Sequence, residues 1–217
     1  MDIPSIYQKR LIFLGLWDEE FKSIYQFARH NTLVDIYRCY ELWDLIKQTN
    51  KLPGDIIEVG VWRGGTGALL SGAASKNTKV YLCDTFSGVV KAGSKDNRYK
   101  GGEHADTSEE TVRKLFEKIK LKNYQILKGI FPDDTAYSIT NRRFRFCHID
   151  VDVYQSAKAI FLWIWERMEI GGIVVFDDFG FAACEGITDL VKNELADRKD
   201  IIMCHNLTGH ALWIKLK

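Results

Sequence analysis

Residues 55–67 read Asp-Ile-Ile-Glu-Val-Gly-Val-Trp-Arg-Gly-Gly-Thr-Gly, and this stretch restricts the fold more tightly than any other. Ile56 to Val59 is an apolar, β-branched run with one acid, Glu58, inside it. That is the pattern of a strand buried in a parallel sheet. Gly60, Gly64, Gly65 and Gly67 then break the chain, and a small apolar run from Ala68 to Ala74 follows. Strand, glycine-rich turn and helix form the opening unit of a Rossmann-like sheet. Its glycines let the backbone approach a ligand at a helix N-terminus. A turn that only packs helix on strand is the simpler account, but four glycines exceed what a tight turn needs.

The loop does not suit a dinucleotide. The dinucleotide fingerprint places bare backbone at its second glycine so that a pyrophosphate can sit there. Trp62 occupies that position here. S-adenosylmethionine carries no pyrophosphate and is cationic at its sulfonium and amino groups. Glu58, at the strand tip, suits a cation and repels a phosphate.

The chain has 217 residues, enough for one α/β domain with a helical extension. A 46% hydrophobic content supports a sizeable core. The formal net charge of +1 gives no strong pull toward nucleic acid or an anionic membrane. No apolar run approaches the roughly 20 residues that span a bilayer. The N-terminus, Met1-Asp-Ile-Pro-Ser, lacks the pattern of a signal peptide. Five cysteines are widely spaced, with no Cys-x-x-Cys pair. Cys83 and Cys147 lie inside apolar strand patterns, as buried free thiols do. The expected compartment is a reducing cytoplasm.

Residues 1–17 give no clear pattern. Asp18 to His30 and Leu33 to Lys47 each carry apolar residues at helical spacing, so two helices precede the sheet. The expected organisation is an N-terminal helical extension over residues 1–50 and a ligand-binding domain over 51–217. The two helices are read as a cover over a sheet face or as a homodimer contact rather than as part of the site. Lys79 to Cys83 is the second strand and ends at Asp84, 24 residues past Gly60. An acid there is placed to hydrogen-bond ribose hydroxyls, or else to cap the following turn. Residues 88–106 are polar, glycine-rich and long for a connection, as active-site lids are.

Thr107 and Glu110 stand in capping-box register before the next helix. Tyr124 to Leu127 is a third strand, followed by a turn, residues 129–134, where an adenine would lie. Phe144 to Asp150 is the fourth strand. An apolar helix from Tyr154 to Met168 follows, stopped by Gly171-Gly172, and Ile173 to Phe176 is the fifth strand. Gly186 to Leu195 reads as a helix. Ile201 to Cys204 and Ala211 to Leu216 close the chain as a strand pair around a turn at Asn206 to His210.

Asp150 and Asp152 end one strand, and Asp177 and Asp178 end the next. Parallel neighbours would bring these tips about 5 Å apart. Two like charges 4 Å apart repel by about 4 kcal/mol at an effective dielectric of 20. Such acids must take up protons or hold a cation, and all-oxygen ligands favour Mg²⁺. Asp150, Asp177 and Asp178 form the candidate set. Asp152 is either a further ligand or a helix cap, with Gln155 in capping-box register. His148 is read as a hydrogen-bonded core histidine.

The segments GDIIEVGVWRGGTG, CDTF, KGIFPDDT and HIDVDVY with GGIVVFDDFG resemble the macrocin O-methyltransferase family over roughly residues 30–216. The resemblance implies a class I S-adenosylmethionine-dependent methyltransferase fold, a mostly parallel seven-stranded sheet with a reversed last strand. It implies that Glu58, Gly60, Arg63 and Gly64 line the methionine part of the cofactor. Asp84 would hold the ribose, and Phe131 and Asp133 the adenine. Asp150, Asp177 and Asp178 would bind Mg²⁺, as in related catechol-type enzymes. Those enzymes carry a lysine base three residues after the first metal aspartate, where this chain has Val153. The base is then Asp150 itself, a lid residue such as His104, or none.

The expected activity is O-methyl transfer to a small-molecule hydroxyl, such as a sugar diol or natural-product glycoside. Two other readings stand beside it. Asp150-Val-Asp152 matches the short metal motif of nucleotide-sugar glycosyltransferases, though that motif explains neither Glu58 nor the glycine loop. Val153 in place of a lysine also suits a cofactor-binding protein without turnover.

Overall fold

The structure, a computed structural model, describes residues 18–195, 197–206 and 208–217. Residues 1–17, including the N-terminus read above as lacking a signal peptide, lie outside the described residues. Two helices come first, α1 (Glu19–Ala28) and α2 (Ile36–Thr49). Strands and helices then alternate. They are β1 (Asp55–Val59), α3 (Gly65–Ala73), β2 (Val80–Asp84), α4 (Glu109–Ile119), β3 (Tyr124–Lys128), β4 (Phe144–Ile149), α5 (Tyr154–Trp165), β5 (Met168–Phe176), α6 (Glu185–Asp189), β6 (Ile201–His205) and β7 (Ala211–Lys215). Among the described residues seven strands form one sheet in the order β3-β2-β1-β4-β5-β7-β6. β1 to β5 are parallel. β7 runs antiparallel to both β5 and β6. The expected sheet with a reversed last strand is the one observed.

Successive residues of the central strands feed opposite faces, as a pleated backbone requires. Ile57, Val174 and Phe176 pack with Ile160, Phe161 and Ile164 of α5. Ile56, Phe146 and Val175 pack on the other side with Leu69 and Leu70 of α3 and with Leu42, Trp43 and Ile46 of α2. All six residues of β4 are buried, Arg145 and His148 included, as a strand covered on both faces requires. The two N-terminal helices do cover a sheet face. Asp18 caps α1 by accepting from the Phe21 amide at 2.9 Å, and its other oxygen accepts from the Trp43 indole of α2 at 2.7 Å. Asp35 caps α2 through the Tyr37 amide. Cys83 and Cys147 are buried free thiols, and burial pushes both thiols up. No helix among the described residues is long and apolar enough to cross a membrane.

Two local expectations are corrected. Ser108, not Thr107, caps α4, accepting from the Thr111 amide at 3.1 Å. The Thr107 hydroxyl instead donates to the Trp62 carbonyl. The apolar helix ends at Trp165 rather than Met168, because Met168 already pairs with Phe144 as the first residue of β5. Gly171-Gly172 is an irregularity inside that strand, where the register steps from Phe144↔Met168 to Phe146↔Ile173.

Residues 88–106 are fastened at several points. The Val89 amide donates to the Glu103 carbonyl at 2.8 Å and the Gly102 amide to the Val89 carbonyl at 2.9 Å. The Ser156 hydroxyl donates to the Val90 carbonyl. Asp96 is buried, and its carboxylate accepts from the Gly93 and Tyr154 amides. It therefore caps α5 from a distant loop, the task that sequence register offered to Asp152. The residue before α5, Val153, offers no side-chain cap. Replacing Asp96 with Ala should cost about 1–2 kcal/mol, the usual worth of a helix cap, read as a lower urea midpoint at unchanged m-value. A midpoint equal to the wild type would show that the loop is not tied to α5 through this carboxylate.

Candidate active site

A pocket opens at the carboxyl ends of β1, β2, β4 and β5. Gly60, Val61, Trp62, Asp84 and Phe131 line one side of it, and Asp150, Asp152, Asp177 and Asp178 the other. Gly60 decides this closeness. A Cβ on it would lie 1.6 Å from the Asp150 carbonyl oxygen, and its φ is +90°. Only glycine lets the β1 loop lie directly against the tip of β4.

Asp84 faces inward to the loop. One oxygen accepts from the Val61 amide at 2.7 Å and the Trp62 amide at 2.8 Å. The other accepts from the Phe86 amide at 2.6 Å. The turn-capping alternative is the one observed, and Asp84 also lines the pocket. The amides that would cradle a phosphate are already turned to a carboxylate.

The remaining proposed cofactor residues divide. Phe131 is buried in the pocket wall, edge-on to Trp163 at 5.0 Å. Glu58 is fully buried beneath α3, accepts from His148 Nδ1 at 2.9 Å, and has no partner for Oε2. Gly64 opens α3, and a Cβ there would meet Val112 of α4 at 3.0 Å. Arg63 stacks on the Trp62 ring and pairs with Asp106. Asp133 pairs with Lys91 at 2.6 Å. Glu58, Arg63, Gly64 and Asp133 are not among the lining residues.

The four acids are brought together but are not equivalent. One ligand oxygen from each of Asp150, Asp177 and Asp178 lies within 4.8 Å of the others. Asp177 has three close side-chain partners. Arg38 of α2 holds Oδ2, while His210 Nε2 lies 2.8 Å and His148 Nε2 3.4 Å from Oδ1. Burial opposes ionisation at Asp177, but the two histidine hydrogen bonds outweigh it and hold the carboxyl far below its usual range. His148 responds in kind. Burial disfavours its charge, yet the bonds to Asp177 and Glu58 push it up to about 10. The core role expected of His148 is the one it has.

Among the described residues Asp150 and Asp178 have no direct hydrogen bond from an arginine or histidine, though His148 and Arg38 act on them through space. Burial first, then the charges of nearby aspartates, pushes both well above the carboxylate range. Asp178 accepts from the Asp152 amide at 3.0 Å and from the Cys184 thiol. Asp152 has a left-handed φ of 65°, and its side chain faces the lid, with His104 Nε2 4.0 Å away. Tyr99, also on the lid, hydrogen-bonds to Asp152. His104 and Tyr99 both line the pocket.

Three residues of this centre escaped the sequence. Arg38 and Glu41 come from α2, so that helix is more than a cover. His210 comes from the start of the β7 hairpin and pairs with Glu41. Their one sequence signal is weak: Arg38 and Glu41 are charged residues on a helix whose neighbours Cys39 and Leu42 are buried.

Comparison with known proteins points one way. The sequence profile of the macrocin-O-methyltransferase (TylF) family matches residues 29–210. The 8-demethyl-8-(2,3-dimethoxy-alpha-L-rhamnosyl)-tetracenomycin-C 4'-O-methyltransferase of Streptomyces olivaceus is 31% identical over 146 residues, which are 61% of this chain and 56% of that protein. The match thus spans little more than half of that relative's length. The O-methyltransferase NovP has a similar structure, with a TM-score of 0.75 at 24% identity over 86% of this chain and 83% of that one. An O-methyltransferase from Bacillus cereus in complex with SAH superposes with a TM-score of 0.63 at 17% identity over 97% of both chains. These two structures share the fold.

The asymmetry among the acids fixes a pH signature for the metal-free protein. Asp150 and Asp178 are raised in the folded state, so each stabilises it below the ordinary carboxylate value near 3.9. That contribution is lost as pH rises through the raised values. Asp177, lowered, has the opposite sign, and its stabilisation persists at neutral pH. Asp178→Asn should therefore stabilise the metal-free protein at pH 8, by on the order of 1–4 kcal/mol from relieved like-charge repulsion. The gain should shrink toward pH 4. Thermal melts in EDTA at both pH values measure this, and a melting point at pH 8 below the wild type would contradict it.

Proposed function

The chain belongs to the macrocin-O-methyltransferase (TylF) family, and from that premise we propose that it methylates a hydroxyl of a small molecule using S-adenosylmethionine, with Mg²⁺ held by Asp150, Asp177 and Asp178. The acceptor class we propose is a sugar diol or natural-product glycoside, in keeping with the sugar-bearing substrate named for the Streptomyces olivaceus relative. The observation that carries the reading is the juxtaposition made by Gly60. It sets a phosphate-refusing glycine loop directly against a cluster of buried carboxylates.

The donor set fits the metal. Asp178 is buried and Asp150 half-buried, neither has a cationic hydrogen-bond partner among the described residues, and their oxygens lie within 4.8 Å of one from Asp177. Oxygen-only ligands of this kind suit a hard divalent cation. Mg²⁺ held by these residues would polarise the acceptor hydroxyl and lower its pKa.

The chain's own residues do the rest. Asp84 offers its carboxylate to the ribose while holding the loop closed. Phe131 gives the adenine an apolar wall. Glu58 places negative charge beneath the loop, which favours the cationic methionine end. Asp150 and His104 are the two candidate proton acceptors, His104 being backed by Asp152 across 4.0 Å. In the transfer the acceptor oxygen bonds to the methyl carbon as the carbon–sulfur bond breaks, and the electron pair returns to sulfur. The hydroxyl proton passes to the base. The fastened lid excludes water and fixes the in-line approach.

The nucleotide-sugar alternative loses its support, because the family is a methyltransferase family and the loop amides face Asp84. A cofactor-binding protein without turnover is separated from the enzyme by experiment. Calorimetric titration of S-adenosylhomocysteine should give micromolar binding both with Mg²⁺ and with EDTA. Absence of binding in both would remove the cofactor assignment. Asp178→Asn is the sharper variant for the metal than Asp177→Ala, which would strand Arg38, His148 and His210 without their anion. It should keep S-adenosylhomocysteine affinity within about twofold and lose about 100-fold or more in Mg²⁺-dependent turnover, as several kcal/mol of metal stabilisation imply. Unchanged turnover would sink the metal role.

A further inference from the structure

Asp177 is gripped from three sides, and two of the grips are imidazoles that each have a second carboxylate behind them. His148 lies between Asp177 and Glu58. His210 lies between Asp177 and Glu41. We infer that Glu41 and His210 form a positioning couple for the metal site, in which Glu41 fixes the ring of His210 and the ring fixes Asp177. The inference rests on the Mg²⁺ part of the proposed function and concerns residues outside the donor set.

The geometry carries it as follows. His210 is fully buried, at the first turn into β7. Its Nδ1 faces Glu41 Oε2, and its Nε2 is 2.8 Å from Asp177 Oδ1. An imidazole bonded through both nitrogens cannot turn without breaking one of them. Glu41 is itself fixed, because the Asn206 side-chain amide donates to both of its oxygens at 2.6 Å. Asn206 in turn accepts from the His210 backbone amide at 3.1 Å. Glu41, His210 and Asn206 therefore close a ring of hydrogen bonds around the imidazole.

The same helix acts on Asp177 a second time. Arg38 lies one turn before Glu41 on α2 and holds Asp177 Oδ2 directly. A carboxylate offers about four lone-pair positions. Arg38, His210 and His148 take three, which leaves one for a cation shared with Asp150 and Asp178. A carboxylate held this way presents that position in one orientation. Partners standing behind metal-binding groups typically change metal affinity by about 10–100-fold. A clamp that served only the hairpin would change stability and leave metal affinity alone.

The test uses Mn²⁺ as a spectroscopic substitute for Mg²⁺, titrated into the protein while the electron paramagnetic resonance signal of free Mn²⁺ is followed. Glu41→Ala should raise the Mn²⁺ dissociation constant about 10–100-fold, and Glu41→Gln, which still accepts a hydrogen bond, by less. S-adenosylhomocysteine affinity and the circular dichroism spectrum should stay as in the wild type. Asn206→Ala, which removes one support of Glu41 but leaves the Glu41–His210 contact, should lose less Mn²⁺ affinity than Glu41→Ala. If Glu41→Ala does not fold, Glu41→Gln decides alone. Wild-type Mn²⁺ affinity in the Glu41 variants overturns the inference. An equal loss in Asn206→Ala does so too, since the couple would then act only through the turn. A wild-type protein that binds no Mn²⁺ instead removes the metal from the proposed function.

Discussion

The buried charge of Asp177 is the constraint on which the rest of the site depends. An ionised carboxylate shut away from water is tolerated only when cations and hydrogen bonds replace its hydration. Here the replacements come from α2, β4 and the start of β7, while Asp177 itself ends β5. Four elements must therefore dock in one arrangement before the charge is satisfied. This gives the reversed strand a chemical task beyond closing the sheet, since its register delivers His210. It also ties the N-terminal helices to the centre of the molecule. Their apolar faces share one core with α3 and β4, and their polar residues complete a site at the sheet edge.

Against that satisfied centre, the neighbouring acids are left unsatisfied. Asp150 and Asp178 differ from Asp177 in surroundings rather than in kind. Among the described residues no arginine or histidine hydrogen-bonds to either side chain, and each feels the other acids. A chain selected for stability alone would not keep two such groups in a buried pocket. The fold places them there through features needed for other reasons. Gly60 allows the Asp150 carbonyl to touch the loop, and the parallel pairing of β4 with β5 puts Ile149 beside Phe176, one residue before Asp150 and two before Asp178 respectively. One carboxylate is fixed and charged, and two are held short of compensation. That division separates the structural role of the cluster from its capacity to take up a cation.

How far the sequence shows this depends on the range of the interaction. The central strands are legible because strands buried on both faces are mostly apolar, with Glu58 in β1 and Arg145 and His148 in β4 breaking the pattern, and the acids that end them mark the ligand edge. The loop, Asp84 and the four aspartates follow from that pattern. The border between α5 and β5 does not. Met168 keeps helical spacing from Trp165, and only its pairing with Phe144 reveals the strand. Thr107 and Ser108 both carry a cap's hydroxyl, and the choice falls to Ser108 because the Trp62 carbonyl claims Thr107. Arg38 and Glu41 are less visible still. Their partners lie 139 and 169 residues along the chain, and nothing nearby distinguishes them from charges on a solvated helix face. Asp96 caps a helix 58 residues away, so local register favoured Asp152 instead.

The glycine loop shows how one substitution in a familiar pattern redirects its chemistry. In a dinucleotide-binding loop the amides after the first strand are left free for a pyrophosphate. Here Trp62 replaces the glycine that would permit that approach, and the Val61 and Trp62 amides close on Asp84. The backbone donors of the turn are thus answered by a protein anion, with a second acid, Glu58, beneath them. A phosphate would find these amides taken and a buried acid beneath them, whereas a positively charged ligand would meet no such repulsion. Trp62 also reaches outward. Its indole donates to Asp106 at 2.8 Å, Arg63 stacks on its ring, and Thr107 bonds its carbonyl. The residue that excludes the pyrophosphate is therefore the one that fastens the end of the lid. Selection between ligands and closure over the pocket meet in a single side chain, so neither can change without the other.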